Sequence, residues 1–122
     1  MNEDRIVFYI DGRGNAPVYE YLLSLGMKKD KDSRIKYNKI NEYVIVLCEV
    51  GLAAGEPYIK HLEGDIWELR PQADRVFFAG WEGNRYILLH HIIKKSQTTP
   101  RRDINIAKRR LAETRKEPNI YG

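Results

Sequence analysis

Cysteine is nearly absent from this 122-residue chain. Cys48 stands alone, which excludes an intramolecular disulfide. It lies in the run Val44-Ile45-Val46-Leu47-Cys48, the setting of a buried, inert thiol rather than a nucleophile. No Cys-x-x-Cys or His-Glu-x-x-His pattern occurs. The three histidines, His61, His90 and His91, have no companion ligands at metal-binding spacing, so no structural metal is expected. Long hydrophobic runs are missing too. None reaches the length that spans a bilayer, and the longest apolar stretch is broken by His90 and His91. The first five residues, Met-Asn-Glu-Asp-Arg, lack the basic start and long apolar core of a signal peptide. The expectation is a cytoplasmic protein with no membrane partner. Length argues against a second core: residues 1–122 make one domain. A domain this small suits a surface cleft better than an enclosed cofactor chamber, and no cofactor is expected.

The net charge of +4 is modest, but its distribution is not even. Between Lys94 and Glu117 stand nine lysines and arginines against three acids, a net of +6, so the remainder of the chain carries −2. A local basic segment is the footprint of a polyanion partner, whose phosphates it neutralises with release of counterions. The plainer reading is a solvated, Lys/Arg-rich helix surface.

The order of elements can be read from the periodicity. Ile6 to Ile10 is a strand ended by the turn Asp11-Gly12-Arg13-Gly14. Asn15 is a candidate helix cap, with Pro17 in the first turn and Val18, Tyr21, Leu22 and Leu25 as the apolar stripe. Ile40, Val44, Leu47 and Cys48 make a second stripe, closed by Gly51 and Gly55. The two helices should form a hairpin over a sheet. Strand patterns then follow at Tyr58–Leu62, Ile66–Arg70 and Arg75–Trp81, and at Arg85–Lys95, which is apolar on both faces and so expected to be central. Pro100 opens a last helix that presents Ile104, Ala107 and Leu111 inward, and Pro118 ends it. The expected fold is α+β, β-α-α-β-β-β-β-α, an antiparallel sheet with an N-terminal α-hairpin and a C-terminal helix.

Three segments carry a family resemblance. They are Lys60-His61-Leu62-Glu63-Gly64-Asp65-Ile66-Trp67-Glu68-Leu69-Arg70, then Arg75-Val76-Phe77-Phe78, then His91-Ile92-Ile93-Lys94-Lys95-Ser96-Gln97-Thr98-Thr99-Pro100 with the basic helix Ala107-Lys108-Arg109-Arg110 after it. In this order and spacing the chain resembles the RelE/ParE/HigB toxin superfamily, most closely its phage-derived, HigB-like branch. The resemblance covers nearly the whole chain. It implies a small RelE-like domain and a toxin of a type II toxin–antitoxin pair. It implies further an endoribonuclease that cuts mRNA at the ribosome without a metal, held in check by a cognate antitoxin, often a helix-turn-helix protein. The alternatives are the gyrase inhibition of the ParE branch, or a nucleic-acid-binding module without catalysis. Two departures stand out: Thr98 occupies a position where that branch commonly has a third lysine, and neither Tyr nor His occurs between Lys94 and Ile120.

Cleavage of RNA by its own 2′-hydroxyl needs a base, cations for the developing phosphorane charge and an acid for the leaving oxygen. Arginine suits the second role because its planar fork matches two phosphate oxygens. Alternation along Ile66–Arg70 places Trp67 and Leu69 on the core face and turns Glu68 and Arg70 to the open one. The turn Pro71–Asp74 sets Arg75 across from Arg70. Two adjacent guanidinium groups repel unless an anion bridges them. The plainer reading is an ion network in which Glu68 pairs with one of them. Lys94 and Lys95 point to opposite faces, and Lys95, nearer the following loop, is the one expected in the cleft. The base is left open between His61 and Glu68, with Tyr121 at a terminus that commonly frays. His90 and His91 read as hydrogen-bonded core residues. The candidate catalytic set is thus Arg70, Arg75, Lys95, His61 and Glu68. Lys94, Gln97, Arg101, Arg102, Lys108, Arg109 and Arg110 are the candidate RNA-binding set.

Overall fold

A computed structural model describes residues 3–121. The elements run β1 (Ile6–Phe8), α1 (Pro17–Met27), α2 (Lys31–Val50), β2 (Ile59–Glu63), β3 (Ile66–Leu69), β4 (Asp74–Trp81), β5 (Arg85–Ile93) and α3 (Arg101–Lys116), the expected order. The five strands form one sheet in the order β1-β5-β4-β3-β2. It is mixed rather than wholly antiparallel, because β1 runs parallel to β5. The chain between them contains two helices and three strands, ample length to return in the same direction. β5 is an internal strand, as its two apolar faces require, but the middle position belongs to β4.

Both faces of the sheet are covered, so the core has two layers. On one face α1 and α2 bring Val18, Leu22, Ile40, Val44 and Leu47 onto Ile59, Leu69, Val76, Phe78 and Leu88. On the other, Ile104, Ala107 and Leu111 of α3 pack on Val7, Ile66, Phe77, Ala79, Ile87 and Leu89. The helical stripes and the strand alternation therefore agree on two separate interiors. Helix starts were harder to read. Asn15 does not cap α1: the N-cap is Ala16, and the Asn15 side chain turns back to Asp11. Asp30 caps α2 through the Ser33 N–H at 2.9 Å.

One irregularity governs the geometry that follows. The pairing of β4 with β5 slips between Phe77 and Phe78, so that Phe77 faces His90 while Phe78 faces Leu88. Leu89 is the extra residue of this bulge. Leu89 and His90 consequently both lie on the α3 face, and alternation beyond them is inverted. Ile92 and Lys94 inherit the α3 face; His91 turns to the helical hairpin.

Candidate functional site

The unit of interest is built at the end of the sheet where the β3–β4 turn and the end of β5 meet. Leu69 pairs with Val76, which leaves Arg70 and Arg75 as the next facing positions. The turn between them is held by the Asp74 N–H on the Pro71 carbonyl at 3.1 Å. Arg75 is 8% exposed and folds back on its own turn, donating from Nη1 to the carbonyls of Gln72 at 2.5 Å and Asp74 at 2.8 Å. Glu68 lies beneath both arginines and is 1% exposed. Its Oε1 is 3.7 Å from Arg70 Nε and 3.9 Å from Arg75 Nε. The anion that holds the two guanidinium groups together is thus supplied by the protein, and the expected open face is roofed. Thr99, just before α3, donates its hydroxyl to Glu68 Oε2 at 3.1 Å, and Pro100 takes the N-cap position.

Positive charge is in excess here. Arg70 spends Nη1 on Glu56 at 2.9 Å. The Nε atoms of both Arg70 and Arg75 are buried with no hydrogen-bond partner. Buried donors without partners cost about 1–3 kcal/mol each, which proteins rarely accept without a use. Burial draws the pKa of Arg75 below its ordinary value; the Glu68 charge opposes this and Arg70 adds to it. The Lys94 ammonium is lowered likewise, by loss of hydration and then by the charges of Arg75 and Arg70. Lys60, which pairs with Glu68 across β2 and β3, adds a further cation. The structure therefore places Lys94, not Lys95, beside the arginines: the bulge at Leu89 inverts the alternation beyond it, and nearness to the following loop does not decide which lysine meets them. Lys95 is exposed and lines the cleft mouth with Ala73, Arg75, Lys94, Ser96 and Gln97.

His61 is not part of this group. It pairs with Trp67, packs against it with the rings tilted and their centroids 4.7 Å apart, and so shares the hairpin side of the sheet, away from Glu68. Its Nε2 lies 2.7 Å from the Gly64 carbonyl. Tyr121 is also distant: its hydroxyl is engaged with the backbone N–H and carbonyl of Ile10.

The cations of α3 are mostly committed elsewhere. Arg101 and Lys108 both bind Glu63, at 2.8 and 2.6 Å, and together hold that carboxyl below its usual pKa. Arg115 meets Asp65 at 2.9 Å, and Arg109 lies 3.7 Å from Glu113. Arg110 turns inward, donating to the Leu89 carbonyl at 2.8 Å and to His90 Nδ1 at 3.3 Å, with its guanidinium 4.9 Å from the Tyr9 ring centre. Most of the candidate RNA-binding residues on this helix are thus engaged with groups of the protein itself. Of that helix set, Arg102 has no ion pair among the described residues.

Both core histidines are hydrogen-bonded. His90 reaches Asp103 at 2.9 Å. His91 reaches Asp74 Oδ1 at 2.8 Å, and that oxygen also receives the Tyr21 hydroxyl at 2.8 Å and has Lys36 at 3.7 Å. Sequence reasoning missed this second network, as it missed Lys60 and the role of Thr99. Only the pairing register and the tertiary approach of α1 bring those residues together.

Among the described residues no group of three or more His, Cys, Asp or Glu side chains is arranged to hold a metal ion. No helix there is long and apolar enough to cross a membrane. An apolar recess between β1 and the helical hairpin, lined by Phe8, Tyr19, Leu23 and Tyr37, offers no acid or base.

Compared with known proteins, the chain finds no match among curated relatives. A family model described as phage derived protein Gp49-like matches residues 30–112, from the cap of α2 to the last turns of α3, and includes the whole arginine and lysine cluster. That match covers well over half of the sequence, and the chain belongs to the phage-derived Gp49-like family.

Proposed function

We propose that this chain is the toxin of a toxin–antitoxin pair and that it cuts mRNA at the ribosome without a metal. The observation that carries the reading is the pair of arginines, Arg75 buried and Arg70 partly exposed, held over the one buried carboxylate of Glu68 with Lys94 beside them. A phosphodiester passing to a phosphorane gains negative charge, and donors fixed in advance where that charge develops are the strongest catalytic device a small site can hold. Glu68, sealed under Arg70, Arg75 and Thr99, positions the arginines rather than touching substrate. Lys94 supplies proton transfer. Loss of hydration and the charges of Arg75 and Arg70 make its ammonium more acidic, which suits it to exchange a proton with substrate. As the amine it takes the proton of the 2′-hydroxyl. The 2′-oxygen then bonds to phosphorus, the bond to the 5′-oxygen breaks, and the Lys94 ammonium returns a proton to that oxygen. The products are a 2′,3′-cyclic phosphate and a 5′-hydroxyl. The cognate antitoxin is the protein partner of this reading.

Expression of the chain without antitoxin should arrest growth and translation. Primer extension on chosen transcripts should show discrete cuts, and these should vanish with Arg70→Gln. Intact mRNA accompanied by blocked DNA supercoiling would replace this reading with gyrase inhibition.

A further inference from the structure

Two clefts adjoin at the end of β5. One is the arginine cleft, with Arg75, Gln97 and the mouth residue Lys95. The other opens on the far side of the same two lysines, between Lys94, Lys95, Ser96 and the start of α3, where Arg102 stands. They share Lys94, Lys95 and Ser96. This second cleft exists because β1 pairs with β5 only as far as Leu88, so the edge of β5 beyond it has no strand beside it. Lys95 and Arg102 are exposed and have no ion pair among the described residues. By contrast Arg101, Lys108, Arg109 and Arg115 are each matched with a carboxylate. A cation already paired must give up its carboxylate before it can neutralise a phosphate and free the counterions condensed on the RNA, so it contributes less to binding a polyanion. An unpaired one contributes fully.

Resting on the RNA-cleavage reading, we propose that a single RNA strand crosses the protein over the end of β5, with the scissile phosphate at Arg75 and Lys94 and a neighbouring phosphate held in the second cleft by Lys95 and Arg102. The strand does not follow α3, despite the density of basic residues there. The second cleft is a binding subsite and takes no part in bond breaking. Sequence charge alone points to α3; the ion pairs redirect the path by one cleft.

The probe is a labelled, 2′-O-methylated single-stranded oligoribonucleotide, which lacks the nucleophile and reports binding alone. Its affinity for the full chain is followed from low to high salt. Removing one phosphate contact on a single strand lowers the slope of log K against log salt by roughly 0.7. Lys95→Gln with Arg102→Gln should lower the slope by about that much, and Lys108→Gln with Arg109→Gln should leave it unchanged. Both double variants should retain the wild-type circular dichroism spectrum, since all four side chains are exposed. A slope lowered only by the α3 variant, or lowered equally by both, overturns the proposed path while leaving RNA as the ligand. Wild-type protein that binds the probe with no salt dependence removes the RNA reading itself, and the path with it.

Discussion

Two buried carboxylates sit at the same end of the sheet, on opposite faces, and they do different things. Asp74, 2% exposed, gathers His91 and Tyr21 at hydrogen-bonding distance and Lys36 slightly farther off. Burial would raise its pKa, but the bonds from His91 and Tyr21 and the charge of Lys36 outweigh that and hold it below the usual range. Tyr21 stacks on His91 with ring centres 3.7 Å apart, so the network also fastens α1 to the sheet. Glu68, 1% exposed, has two arginines at longer range, one threonine hydroxyl, and more positive charge around it than it can neutralise. The first acid is saturated and the second is outnumbered. Saturation makes a clamp. Unmatched buried donors make a place where an incoming anion gains more than it loses in hydration.

The contrast can be broken most severely at Glu68. Glu68→Ala leaves two largely buried guanidinium groups uncompensated and should cost about 3–5 kcal/mol of stability, measured by urea unfolding. Inorganic phosphate should restore part of that loss. A loss under 1 kcal/mol would mean the arginines do not depend on Glu68 for their place. Next come Arg70→Gln and Arg75→Gln, each expected to lower RNA cleavage by about 10²–10³-fold. Arg70 is the cleaner test because it is partly exposed, whereas Arg75 also ties down the Gln72 and Asp74 carbonyls. On the other face, Asp74→Asn should cost about 1–3 kcal/mol of stability, and cleavage should fall less than with either arginine variant. Acid should expose the same residue. A carboxyl whose folded pKa lies below its unfolded value of about 3.9 stabilises the protein above that pH, and the contribution is lost as pH falls through the folded pKa. Wild-type unfolding free energy should therefore drop more steeply below about pH 4 than that of Asp74→Asn. Lys94 is tested by the shape of the pH profile. Cleavage should rise with pH and level off below the ordinary lysine range of about 10.4. Lys94→Arg, which keeps its proton, should be slower and lack that rise.

Much of the fold was legible because periodicity survives in a single sequence: helical stripes at Val18–Leu25 and Ile40–Cys48, and alternation at Ile66–Leu69, match the two cores. The turn Pro71–Asp74 likewise placed Arg70 opposite Arg75. The parallel pairing of β1 was not legible, since strand direction is set by where the chain returns and not by side chains. Lys95 was preferred to Lys94 for its nearness to the following loop, whereas the bulge at Leu89, which leaves no mark in hydrophobicity, sets which lysine meets the arginines. His61 was placed near Glu68 by closeness in sequence, whereas register puts it against Trp67 on the other face. The basic helix misled for a different reason. Its charge is real, but Glu63, Asp65 and Glu113 answer it, and two of those lie on the β2–β3 hairpin, far away in the chain.

The most direct test of the central claim is chemical analysis of the cut ends. Purified protein, ribosomes and a defined mRNA are incubated, and free divalent cations beyond those the ribosome needs are then chelated. The account predicts continued cleavage that leaves a 2′,3′-cyclic phosphate on one fragment and a 5′-hydroxyl on the other, both lost with Arg70→Gln. Fragments ending in a 3′-hydroxyl and a 5′-phosphate, or cleavage undiminished in Arg70→Gln, would contradict it.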